Sequence, residues 1–133
     1  MPVMLSCHLG CFDVDCWPGN GPDYVFARRI CEPGPDGSYL SADWSGRAIL
    51  YPPIGVVDQD LKDAIRKVDT EAREYLLVLP AGRFATNLIG GLVLEDWPGT
   101  REVRQVPYAG GVIIAVGESI AEALHNAAAL EIV

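Results

Sequence analysis

The sequence predicts one α/β domain, a central mixed sheet with helices packed on its faces. Three stretches predict it: an alternating strand near the start, a strand-helix-strand unit between Arg47 and Leu79, and a strand-to-helix passage from Gly111 to Leu130. With 133 residues, the chain suits a single domain and is large enough to bury about two thirds of its unfolded surface.

Cys11 to Trp17 alternates as a half-buried strand does, and Pro18-Gly19-Asn20-Gly21-Pro22 ends it. Tyr24 to Cys31 fits a short helix or a short strand, and Glu32 to Gly37, with two prolines and two glycines, is a loop. Arg47 to Leu50 is a short strand closed by Pro52 and Pro53, which lack the N–H a sheet ladder needs. Beyond them Val57, Leu61, Ala64, Ile65 and Val68 recur at helical spacing opposite Asp60, Lys62, Asp63 and Lys67. Glu74 to Leu79 is a nearly continuous apolar run, the pattern of a strand covered on both faces. Such a strand-helix-strand succession is a right-handed parallel crossover.

Leu88 to Leu94 is interrupted by glycines and fits a strand or a helical turn, and Glu95 to Thr100 reads as a turn. Arg101 to Val106 and Gly111 to Val116 are expected as neighbouring strands. Ile120, Ala123, Leu124, Ala127 and Leu130 then define a last helix, capped by Ser119 or begun at Glu118.

Composition narrows the function classes. Half the residues are apolar, as in a folded globular chain. No apolar run reaches the ~20 residues of a membrane helix, and the first residues lack a basic segment followed by an apolar one, so a soluble cytoplasmic or nuclear protein is expected. The net charge is −8 and the ten Lys and Arg are scattered. Tight autonomous nucleic-acid binding needs clustered positive charge, so DNA contact would require a partner protein.

Cys7, Cys11, Cys16 and Cys31 fall in the first quarter with His8 among them. Their spacing lacks the Cys-x-x-Cys knuckle of a structural zinc site, so reduced disulfides or plain buried thiols are expected ahead of structural zinc, and no metal ligand is assigned. No Ser-His-acid or Cys-His arrangement can be read, since His8 and His125 belong to unrelated elements.

Phe12-Asp13-Val14-Asp15, Asp36-Gly37, Asp43-Trp44-Ser45-Gly46, a strand into Tyr51-Pro52-Pro53-Ile54-Gly55, an amphipathic helix and Leu77-Val78-Leu79-Pro80-Ala81 follow one another in order. In this order and spacing the chain resembles phage-type DNA adenine methyltransferases and the methyltransferase-like segments of tyrosine-recombinase retrotransposons. The resemblance spans Phe12 to about Ala81 and implies an abbreviated Rossmann-like methyltransferase topology. It implies S-adenosylmethionine as cofactor, bound at the carboxyl ends of the strands with Asp13 or Asp15 nearby and Gly19 and Gly21 in the cofactor turn. It also implies that Tyr51, Pro52, Pro53 and Ile54 form the turn that meets a flipped target base.

The residues of that turn depart from the family pattern. Adenine's exocyclic amine is a poor nucleophile while its lone pair is delocalised, and the family places Asp, Asn or Ser first to accept its hydrogen bonds. Tyr51 stands there, although the retroelement-like versions also carry an aromatic before the prolines. The family's fourth position is aromatic and stacks on the base, an interaction of roughly 1–3 kcal/mol, and here it is Ile54. Simpler readings stand beside these: the prolines end a strand, Trp44 and Trp97 anchor the core, Asp13 and Asp15 cap a helix or face water, and Asp58, Asp60, Asp63 and Glu71 form a solvated face.

Three functions follow as expectations. The first is a small methyltransferase with measurable cofactor affinity. The second is a relative that has lost catalysis and serves as a binding or assembly module of a mobile element, phage or virus. The third is a small acidic interaction protein, a homo-oligomer through its apolar strands and Ala-rich last helix.

Overall fold

A computed structural model of the chain describes residues 11–18, 27–52, 58–79, 103–108 and 111–130. The strands are β1 (Phe12–Asp15), β2 (Ala27–Ile30), β3 (Gly46–Leu50), β4 (Ala72–Leu79), β5 (Val103–Tyr108) and β6 (Gly111–Val116). Helix α1 covers Asp58–Glu71 and α2 covers Glu118–Ala129, with a 3-10 turn at Tyr39–Ser41. The mixed α/β fold is therefore as expected. Tyr24 to Cys31 resolves to a strand over its described part, and the Leu88 to Leu94 and Glu95 to Thr100 segments lie outside the described residues.

All six strands form one sheet in the order β2-β1-β3-β4-β6-β5. The first four are parallel, and β6 runs antiparallel to both β4 and β5. Chain order moves outward from β1 to β2, then returns to β3 on the other side of β1. That lateral reversal leaves the carboxyl ends of β1 and β3 as neighbours, the position where open α/β sheets form a ligand crevice.

Side-chain alternation divides the core between two faces. Tyr75, Leu77 and Leu79 pack with Leu61, Ala64, Ile65 and Val68 of α1. Leu76 and Val78 pack on the other side with Ile120, Ala121, Leu124 and Ala127 of α2. Each fully buried aliphatic side chain stabilises the fold by about 1.5–3 kcal/mol, so β4, buried at seven of its eight positions, is the centre of the domain.

Two glycines make close approaches that a side chain would block. Gly46 begins β3 at φ +99°, beside a register shift, and a Cβ there would lie 2.7 Å from Asp13 Oδ2. Gly117 precedes α2 at φ +123°, and a Cβ there would lie 2.4 Å from the Cβ of Glu74. Helix α2 starts at Glu118 as expected, but Ser119 does not cap it, because Gly117 occupies the N-cap position. Glu74 of β4 takes over, its Oε2 accepting the Ile120 N–H at 3.3 Å.

Candidate functional site

Asp15, Tyr51 and Pro52, singled out in the sequence, lie on neighbouring strand ends where the sheet reverses. Asp15 closes β1, and Tyr51-Pro52 follows β3, the strand beside it. The Cys16 N–H donates to the Ile49 carbonyl at 2.9 Å, so pairing persists past the end of β1. Asp15 lies between Val14 and Cys16, both in the α1-side cluster, which turns its carboxyl to the α2 side. Tyr51 packs half-buried against the α2-side cluster, and Pro52 is buried. Asp15 and Tyr51 thus share one face and one end of the sheet.

Asp15 is 4% exposed, and this burial raises its carboxyl to about 6 despite a backbone N–H from Trp17 that favours the charged form. A carboxylate has about four acceptor positions, of which the Trp17 N–H occupies one.

Asp13 has a different setting. Its Oδ2 accepts the Arg47 N–H at 2.8 Å near the amino end of β3, and Oδ1 lies 3.9 Å from Arg28 Nε. The carboxylate thereby supports the irregular start of β3. Pro53, Ile54, Gly19 and Gly21 lie outside the described residues.

The Asp-containing marks have local structural work. Asp36 Oδ1 accepts the Ser38 N–H at 3.0 Å, and the Ser38 hydroxyl accepts the Leu40 N–H at 3.1 Å, starting the 3-10 turn. Asp43 accepts both the N–H and the hydroxyl of Ser45 at 3.0 Å, bonds that pull its carboxyl below the usual range. Trp44, fully buried, lies under Lys67 Nζ at 5.2 Å from the ring centroid. Glu71 is more than part of a solvated face, since its Oε1 accepts the Trp44 N–H at 3.1 Å and its Oε2 pairs with Lys67.

Sequence reading missed the grouping of Cys16 and Cys31 around Asp15. Both thiols are buried in the α1-side cluster, and the Cys31 N–H donates to the Asp15 carbonyl at 3.0 Å. Strand register was the missing signal, since fifteen positions separate the two in the chain. Among the described residues no three His, Cys, Asp or Glu side chains are arranged to hold a metal ion. A cleft of about 490 Å³ lined by Arg73, Glu74, Gly117, Glu118, Ser119 and Glu122 opens at the amino end of β4, at the opposite end of the parallel strands from Asp15. No described helix is long and apolar enough to cross a membrane. Compared with known proteins, the chain matches no family model, no curated protein and no solved structure.

Proposed function

We propose that this chain is a degenerate relative of S-adenosylmethionine-dependent DNA adenine methyltransferases, one that keeps a ligand crevice and has weak or no transfer activity. The observation that carries the reading is the placement of Asp15 and Tyr51 on one face, at the strand ends beside the sheet's lateral reversal. The cofactor carries hydroxyl and ammonium donors as well as the transferable methyl group, and the buried Asp15 carboxyl suits such donors. The target turn fits less well. Tyr51 offers a phenol where the family uses an amide, acid or hydroxyl to engage adenine, so binding outlasts transfer on this reading.

Calorimetric titration with S-adenosylmethionine and its demethylated product tests the proposal. Saturable heat at one site in the wild type, lost in Asp15→Ala, is expected. Absence of heat, together with an unchanged melting temperature, would overturn it, because a ligand at a hundredfold excess over its Kd adds about 2.7 kcal/mol to folding. Restoring Tyr51→Asn together with Ile54→Tyr is expected to raise any trace methylation of DNA.

A second reading, a non-catalytic binding or assembly module, is favoured by strand β2. It forms one edge of the sheet, and its Ile30 is 49% exposed. Exposed strand edges are templates for pairing with another chain, and the flanking Arg28 and Arg29 limit such pairing to a suitable partner. Sedimentation of the purified chain tests self-association, and DNA retardation with and without partner proteins tests whether a second surface supplies the positive charge.

A further inference from the structure

We infer that Cys16 and Cys31 form a redox-active dithiol that closes to a disulfide across the carboxyl ends of β1 and β2 when a hydroperoxide oxidises it. Phe12, Val14 and Asp15 face Ala27, Arg29 and Ile30 in parallel pairing. The bond from the Cys31 N–H to the Asp15 carbonyl carries that ladder one step further, so Cys16 and Cys31 form the next opposed pair. Neighbouring strands lie about 4.8 Å apart, and disulfides span Cα separations of about 4.4–6.8 Å. The two backbones are therefore within bridging reach.

Side-chain direction agrees with the backbone. Both thiols lie in the cluster on the α1 side, and a charge on Cys31 would raise the Cys16 thiol further. Their surroundings differ in a way that assigns roles. Arg29 Nη1 lies 4.0 Å from Cys31 Sγ, and this guanidinium favours the Cys31 thiolate against the larger opposing effect of burial. Cys16 is more deeply held, and burial pushes its thiol far above the ordinary range. Cys31 is accordingly the attacking sulfur and Cys16 the resolving one.

The chemistry closes with one peroxide. The Cys31 thiolate attacks a peroxide oxygen, the O–O bond breaks, and the leaving oxygen departs as water after taking up a proton, giving a Cys31 sulfenic acid. Cys16 then attacks that sulfur: the S–S bond forms, the S–O bond breaks, and a second water leaves with the Cys16 proton. Two thiols give up two electrons to one hydrogen peroxide. Exposed Cys11 is poorly placed to compete, since it precedes β1 at the opposite end from Cys16, about 16 Å away at strand rise.

The test oxidises the folded full-length chain with hydrogen peroxide, blocks remaining thiols with an alkylating agent, and maps the digested peptides by mass spectrometry. The expected result is a Cys16–Cys31 linked peptide, loss of two alkylatable thiols of the four, and their recovery after dithiothreitol. The Cys7→Ala/Cys11→Ala double variant is expected to give the same linkage. Cys16→Ala is expected to stop at a Cys31 sulfenic acid trapped by a dimedone-type reagent. Recovery of Cys16 and Cys31 as free thiols in the oxidised wild type, or their linkage to Cys7 or Cys11, would overturn the proposal even if the Cys16 variant fails to fold.

Discussion

Arg47 Nε stands 3.3 Å from Glu74 Oε1, a pair with side-chain exposures of 15% and 6% that joins β3 to β4. The other Glu74 oxygen receives the Ile120 N–H, so one carboxylate ties two strands to the start of α2. Arg47 also lies over the Phe12 ring at 5.6 Å, extending the contact to β1. Removing one member of a buried pair leaves the other charge uncompensated, which costs about 3–5 kcal/mol. Glu74→Ala is expected to lose that much in urea unfolding, whereas Glu74→Gln, which keeps an acceptor for Ile120, is expected to lose less.

Asp15 gives a pH prediction with the opposite sense to an ordinary ion-paired carboxylate. Its folded value, about 6, lies above the unpaired 3.8. Between those values the folded chain binds more protons than the unfolded one, so stability from this group is full below pH 3.8 and is lost as pH rises through about 6. The loss is about 2–3 kcal/mol, allowing for partial solvent screening. Unfolding of wild type and Asp15→Asn at pH 4 and pH 7.5 checks it: the variant's relative stability is expected to improve by that amount at the higher pH. Equal differences at both values would mean the carboxyl titrates normally.

Asp13 and Asp15 are expected to separate structure from binding. Asp13→Ala strands the Arg47 N–H and is expected to cost about 1–3 kcal/mol in denaturant. On the proposed cofactor-binding reading, its calorimetric response to S-adenosylmethionine is expected to remain at temperatures where it is folded. Asp15→Ala should reverse the pattern, losing the heat without comparable loss of stability.

Leu77 sits in the middle of β4, paired with Leu50 on one side and Ile114 on the other, and is fully buried. Leu77→Ala is expected to destabilise by about 2–5 kcal/mol through lost apolar burial and the cavity left behind. A smaller loss would mean that α1 settles onto the sheet to fill the space.

Local patterns carried much of the fold. The spacing of Leu61, Ala64, Ile65 and Val68 corresponds to α1, and the apolar run before Pro80 corresponds to the doubly covered β4. Strand β2 was ambiguous because Arg28, Arg29 and Ile30 are all exposed, so no alternation marks an inner face. Contacts between distant segments were illegible for a different reason. Glu74 reads as a lone charge opening an apolar strand, and only the placement of β3 and β6 beside β4 brings Arg47 and Ile120 to it. Among the candidate site residues, Asp13 and Asp15 look equivalent in the sequence until register sends them to different ends of β3.

The reversal of β6 also bears on the order in which the sheet assembles. Strands β5 and β6 are antiparallel and two residues apart in the chain, and hairpins form in about 1–10 μs. Each parallel pair must first close a longer connection, such as the one through α1, at greater entropic cost. Both halves meet on β4, which is bonded to β3 on one side and to β6 on the other. Folding thus becomes cooperative at that strand, and its amides should be among the last to exchange with solvent deuterium.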